Sequence, residues 1–119
     1  MTDTAADTTP VDLRELAEEL LGRARKEHAG RAARTLPHPV DGLRHTVIAL
    51  TAGSALDEHE SPGPATLLVL RGRVRLVAGD DGTGLGEHEI SPIPDSRHSL
   101  HAEEDSVVLL SVAHSHATH

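Results

Sequence analysis

The chain has 119 residues, a length that suits one domain with a single modest core. It contains no Phe, Tyr, Trp or Cys, which excludes aromatic stacking platforms, disulfides and thiolate metal sites. Its formal net charge of −8 argues against nucleic acids and anionic membranes as partners, because both attract basic surfaces.

Residues 1–9 are mostly Thr, Ala and Asp, and we expect them to form a mobile tail. They lack the basic start and the apolar run of a signal peptide. No stretch of about 18 consecutive apolar residues, the length that crosses a bilayer, occurs in the sequence. The sequence therefore predicts a cytoplasmic protein without a membrane span.

An amphipathic helix and a linker are predicted for residues 10–36, with Thr9 as the helix cap and Pro10 at the first helical position. Apolar residues at spacings of three and four form one stripe, namely Leu13, Leu16, Ala17, Leu20, Leu21 and Ala24. The arginine-rich segment 23–34 is interpreted as a solvated helix face. The stripe must pack on the rest of the chain or on a second subunit.

From Leu43 onward, short apolar runs alternate with Gly, Pro and Asp clusters, a pattern typical of an all-β barrel or sandwich. The predicted strands are 43–52, 56–60, 65–71, 73–78, 89–93, 97–102 and 106–113. The clearest hairpin is predicted to join 65–71 to 73–78 through a tight turn at Arg71-Gly72. The segment 82–86 is interpreted as a flexible loop, and the His-rich residues 114–119 as a mobile tail that chelates metal adventitiously.

Two segments of the strand-rich part resemble the two sequence motifs of the cupins. The stretch from Gly53 to Gly72 matches the first motif with His59 at a ligand position, and Ser91 to His98 matches the second. The resemblance covers about residues 43–113 and is to small, RmlC-like single-domain cupins. It implies a fold of the all-β class for residues 40–113, the cupin double-stranded β-helix or jelly-roll barrel, preceded by the N-terminal α-helix. It also implies a homodimer.

The departures from the cupin pattern concern the metal ligands. Full-motif cupins bind a divalent metal such as Zn, Fe, Ni or Mn through three His and one Glu. Here Ser61 occupies the second His position and Ala65 the Glu position. Only His59 and His98 remain, an incomplete set of ligands that would bind a metal ion weakly. A substitute carboxylate from Asp57, Glu58 or Glu60 would require a bulged or twisted strand.

Three functions stay open at this point, and no catalytic residue can be named for any of them. In the first, a barrel pocket lined by His59, Ser61, His98 and His45 binds a small molecule. In the second, His59 and His98 serve a divalent-metal-dependent enzyme of the oxygenase or isomerase type. In the third, the chain is a non-catalytic dimeric interaction protein whose helix stripe contacts a second subunit.

Overall fold

The computed structural model describes residues 9–37, 40–59 and 63–113. This part of the chain contains one helix, α1 (Leu13–Ala24), followed by nine strands. The strands are β1 (Arg31–Thr35), β2 (Leu43–Leu50), β3 (Ala55–His59), β4 (Ala65–Arg71), β5 (Arg73–Ala78), β6 (Asp81–Gly86), β7 (Ile90–Pro92), β8 (His98–Ala102) and β9 (Ser106–Ala113). The predicted tails lie outside the described residues except for Thr9.

The strands form two antiparallel sheets that pack against each other. The first sheet has the order β1-β2-β9-β4-β7 and the second has the order β3-β8-β5-β6. Inward-facing side chains of both sheets make one core: Ile48, Leu50, Leu67, Val69, Val74, Leu76, Leu85, Leu100, Ala102 and Val108. Because strand side chains alternate between faces, the neighbouring residues point out of this core. The predicted all-β jelly-roll fold with an N-terminal helix is confirmed.

The helix is capped by Asp12, so the prediction of Thr9 as the cap is wrong. The Asp12 carboxylate accepts hydrogen bonds from the backbone N–H of Arg14 at 2.9 Å and of Glu15 at 3.3 Å. It thereby satisfies two of the amides that a helix start leaves without partners.

The apolar stripe of α1 packs on the outer face of the first sheet. Its buried members are Leu16, Ala17, Leu20, Leu21 and Ala24, and they contact a second core cluster that includes Val47, Ala49 and Val107. The stripe is therefore covered by its own chain, and it does not supply the surface for a second subunit that the third hypothesis required. Among the described residues, no helix is both long enough and apolar enough to cross a membrane.

A solvated helix face was predicted for 23–34, but α1 ends at Ala24. The prediction is therefore wrong for the residues that follow. Gly30 has a φ of 71°, and a Cβ at this position would lie 2.1 Å from Ser54 Oγ. The chain turns there and continues as β1, which pairs with β2 along its whole length. The two alanines of β1 are strong helix formers, but tertiary contacts routinely override intrinsic propensity, and here the pairing with β2 decides the conformation.

The predicted hairpin of β4 with β5 is also wrong, because the two strands belong to different sheets. Gly72 lies at the corner between them with a φ of 87°. A Cβ there would lie 2.3 Å from the Asp105 carbonyl oxygen and 2.8 Å from Ser106 Cα. The buried Ser106 hydroxyl fixes this corner by accepting from Arg73 N–H at 3.0 Å and donating to the Glu104 carbonyl at 2.7 Å.

The segment 82–86, interpreted as a flexible loop, belongs instead to strand β6, which pairs with β5 over all six of its residues. Its glycines allow this pairing because two arginine side chains lie across them. A Cβ at Gly82 would lie 2.5 Å from Arg75 Nη2, and one at Gly86 would lie 3.0 Å from Arg73 Nη1. The true hairpin is therefore β5–β6.

Asp105 ties the end of the helix to the sheets, and this contact yields a prediction of pH dependence. Its carboxylate accepts from Ala52 N–H at 2.9 Å and from Arg25 Nη2 at 3.0 Å. The hydrogen bond from Ala52, followed by that from Arg25, lowers the pKa of Asp105 below its usual value. The stabilisation is therefore fully present above the unfolded-state pKa and disappears as the pH falls through the lowered folded-state pKa.

We expect Asp105→Asn to lower the free energy of unfolding at pH 7 by about 1 kcal/mol, a value discounted for the exposure of the pair. The difference from wild type should shrink as the pH is lowered below about 4. Urea unfolding at pH 7 and at pH 3 measures both values. Asp95→Asn, at an exposed position, is the control that should change neither. An equal loss of unfolding free energy at both pH values would contradict the prediction that the contact depends on the charge of Asp105.

Candidate ligand site in the barrel interior

His98 is a buried polar side chain that lies among the apolar core residues between the two sheets. Strand β8 alternates, so that His98, Leu100 and Ala102 are buried while His101 is exposed. The exposed fraction of His98 is 4%. An imidazole in such surroundings requires hydrogen-bond partners, because an unsatisfied buried polar group is costly.

The tautomer of His98 follows from its contact with the backbone. Its Nδ1 lies 2.8 Å from the Ser96 carbonyl oxygen, which can only accept a hydrogen bond. Nδ1 therefore carries the proton, and in the neutral ring Nε2 is the acceptor.

The space around His98 is small. A cavity of about 30 Å³ lies beside the ring, and its walls are Ile48, Leu56, Leu67, Leu76, Ile93, Leu100 and Leu110. This volume holds about one water molecule, whereas sites for organic ligands measure roughly 300–1,000 Å³. Three of the wall residues, Leu56, Ile93 and Leu110, are only partly buried against the core and form what we call the rim.

Strand β3 contains a bulge next to this site. Leu56 pairs with Leu100 and His59 pairs with His98. Between these two pairs the chain moves three positions along β3 but only two along β8, so β3 has one extra residue. Simple alternation from Leu56 would have placed position 58, not 59, in phase with the interior. The bulge instead brings the backbone of His59 into register with His98. Ser61 lies outside the described residues.

The bulge does not bring a carboxylate into the site. Asp57 and Glu58 are both exposed. Glu58 Oε1 accepts from Arg97 Nε at 3.3 Å, and this exposed pair keeps the carboxylate on the outer surface. Glu60, the other acidic candidate, lies outside the described residues.

The Glu position of the cupin motif carries a methyl group. This residue, Ala65, alternates in phase with the inward Leu67. Within the described part of the chain, no group of three or more His, Asp or Glu residues is arranged to hold a metal ion. Catalytic zinc usually takes three protein ligands and structural zinc four. The donors among the described residues are therefore fewer than these zinc sites use.

His45 is placed on the opposite side of the first sheet, which corrects its assignment to the barrel pocket. It shares the outer face of β2 with Val47 and Ala49, both of which contact the helix cluster. Its Nδ1 lies 2.7 Å from Oγ of Ser111, its cross-strand partner. The structure therefore separates His45 from His98.

The rim was missed by the sequence reasoning, which considered only polar residues. Leu110 could have been found from the alternation of β9, in which it is in phase with Val108 and Val112. Ile93 follows β7 in the Pro-rich segment, where no periodicity indicates its direction.

Comparisons with known proteins identify the fold. No family model and no curated protein matches the chain. A conserved protein of unknown function from Streptococcus pyogenes is 24% identical, with a TM-score of 0.69 over 97% of this chain and 95% of the other. An RmlC-like cupin protein from Desulfovibrio desulfuricans is 22% identical, with a TM-score of 0.62 over 70% of this chain and 81% of the other.

Salicylate 1,2-dioxygenase from Pseudaminobacter salicylatoxidans gives a TM-score of 0.73 at 18% identity, over 83% of this chain but only 33% of the dioxygenase. Identities at this level establish a common fold and leave activity open. The chain thus has the fold of the small single-domain cupins. An RmlC-like cupin is among the solved structures that share this fold.

Proposed function

We propose that the chain is a small-molecule-binding cupin whose ligand enters the barrel past the rim and contacts the imidazole of His98. The observation that carries this proposal is the burial of His98 in an aliphatic interior, with its Nδ1 bonded to the Ser96 carbonyl. A ligand that fits this environment is small, mostly apolar and provided with one hydroxyl or N–H donor.

Access to the site depends on the rim. The cavity of about 30 Å³ is too small for an organic ligand unless wall side chains move. Leu56, Ile93 and Leu110 are the partly buried members of the wall, so their displacement costs less apolar burial than that of the fully buried ones. We infer that binding is coupled to a rotation of rim side chains away from His98.

His59 is included in the proposed site because of the strand register. Its backbone pairs directly with that of His98 on the neighbouring strand. A ligand with two polar groups would use both residues. Ser61 stays a proposed third member of the site.

A divalent-metal enzyme of the oxygenase or isomerase type is the second candidate. His98 donates its Nδ1–H to a backbone carbonyl. Histidines that bind a metal through the other ring nitrogen commonly make this hydrogen bond. Two histidines without a carboxylate are too few for the usual catalytic sites, so we derive no reaction step from this candidate. A non-catalytic homodimer is a further proposal that rests on the resemblance, with an interface elsewhere than the helix stripe.

The binding proposal can be tested with phenol and benzene as probes that differ in one donor group. We expect phenol to raise the melting temperature of the wild type more than benzene does. In His98→Leu the advantage of phenol should vanish, with a loss of affinity of about tenfold, because the acceptor is gone. His101→Leu, on the exposed face of the same strand, is the matched control and should behave like wild type.

Metal analysis separates the two leading candidates. We expect far less than one metal ion per chain in protein whose His114, His116 and His119 are replaced by Ala, since these could chelate metal adventitiously. One tightly bound ion per chain that is lost in His98→Leu would overturn the binding proposal in favour of the metal enzyme. An equal response of wild type and His98→Leu to phenol would also contradict it.

A further inference from the structure

A second, larger cavity lies outside the barrel, between α1 and the strands. It is a groove of about 450 Å³ next to β4 and the turn between β6 and β7. Leu13, Ala17 and Leu70 supply its apolar lining. Its volume falls within the roughly 300–1,000 Å³ of small-molecule sites, whereas that of the barrel cavity does not. We call it the helix groove.

The acidic side chains of the helix groove are already bonded to protein donors. Glu18 Oε2 accepts from Arg71 Nη1 at 2.5 Å, which links the helix to the end of β4. Glu87 Oε2 accepts from the backbone N–H of Gly72 at 3.2 Å. Both carboxylates therefore stabilise the walls, and neither is left to attract a cation.

The basic side of the groove is different. Arg14 is exposed, and its guanidinium makes no hydrogen bond or ion pair within the part of the chain that the structure describes. It lines the groove beside the apolar residues of the same helix. A guanidinium in this position can bind a carboxylate through two parallel hydrogen bonds.

His88 adds a second polar group at the groove. Its φ is 69°, a left-handed conformation that residues other than Gly adopt infrequently. Two backbone contacts hold it there, from His88 N–H to the Val69 carbonyl at 2.7 Å and from Val69 N–H to the Glu89 carbonyl at 2.9 Å. The turn thus fixes an imidazole, which can donate a hydrogen bond, in the wall opposite the helix.

We propose that the helix groove is a second ligand site, for an amphipathic carboxylate. The carboxylate binds the Arg14 guanidinium and the His88 imidazole, and the hydrocarbon part packs on Leu13, Ala17 and Leu70. The site is built by the helix that precedes the barrel, and it is independent of the proposed site at His98.

Octanoate and octan-1-ol are suitable probes, since they share a hydrocarbon tail and differ in charge. Isothermal titration calorimetry of the full chain at low salt should detect octanoate binding and much weaker binding of the alcohol. Arg14→Gln should weaken octanoate binding about tenfold, the effect of removing one charged hydrogen-bonding partner. Arg23→Gln removes the same charge from the same helix outside the groove, and it should stay within about twofold of wild type.

The position of the bound probe is read from backbone amide chemical shifts. Octanoate should move the signals of Ala17, Leu70 and His88 and leave that of Leu100 in the barrel unchanged. His98→Leu should bind octanoate as wild type does, so failure of the barrel proposal would not affect this result. No octanoate binding, equal binding by Arg14→Gln, or shifts confined to Leu100 would each overturn the proposal.

Discussion

Gly72→Ala is expected to cost at least about 3 kcal/mol of unfolding free energy, through backbone strain and overpacking together. The φ of 87° alone disfavours any residue with a Cβ. The new Cβ would also lie 2.3 Å from the Asp105 carbonyl oxygen, a backbone atom that cannot move without disturbing Ser106. The corner at which the chain passes between the sheets would have to open.

Gly53→Ala is the matched control for this substitution. Gly53 has a nearly identical φ of 85°, but no atom outside its neighbours lies within 4 Å of the position of a Cβ. Gly53→Ala should therefore lower the free energy of unfolding only through the backbone strain, by about 1–2 kcal/mol. Because the chain has no Trp or Tyr, urea unfolding is followed by far-UV circular dichroism. Equal losses of unfolding free energy in the two variants would show that the close approach at Gly72 does not contribute to the effect of its substitution.

Leu20→Ala is expected to cost about 2–5 kcal/mol, the range for large-to-small changes in a packed core. Leu20 has an exposed fraction of 0% and packs in the cluster that α1 forms with the outer face of the first sheet. The loss combines reduced apolar burial with the cavity left behind. The measurement is again urea unfolding by circular dichroism.

Ile90→Ala provides the comparison for Leu20→Ala, because 62% of Ile90 is exposed on the short edge strand β7. Ile90→Ala should lower the free energy of unfolding by only about 0.5 kcal/mol. If Leu20→Ala unfolded as readily as Ile90→Ala does, the helix would contribute little to the stability of the barrel. The helix groove would then lack a fixed wall, which connects this experiment to the second ligand site.

The sequence periodicity predicted the strongly patterned elements correctly. The apolar stripe of α1 and the alternation in β5 are repeated signals that depend on one buried face. The strands β1 and β6 were missed for physical reasons. β1 consists of Ala, Arg and Thr without an apolar pattern, and β6 is rich in Gly, which usually indicates a loop.

The pairing of strands was less predictable than the strands themselves. Gly72 suggested a tight turn because Gly occurs in hairpins and in corners alike. What decides between them is the approach of Asp105 and Ser106, which are more than thirty positions away in sequence. Such long-range contacts leave no local signal.

The candidate site was predicted in part. The motif pointed to His98, and its burial in the core agrees with that expectation. The register of His59 depends on a bulge that alternation cannot indicate. His45 was misplaced because both faces of β2 are covered, one by the second sheet and one by α1, so neither face has a distinctive composition.

The β6 edge has a consequence for how the protein behaves at high concentration. An edge strand with small side chains is a ready template for pairing with the same strand of another molecule. Here the guanidinium groups of Arg73 and Arg75 lie next to the glycines of β6, so a second β6 in antiparallel contact would bring guanidinium groups of two molecules together. Like charges in opposed positions disfavour such pairing. We therefore expect these arginines to disfavour pairing of the β6 edge with a second molecule.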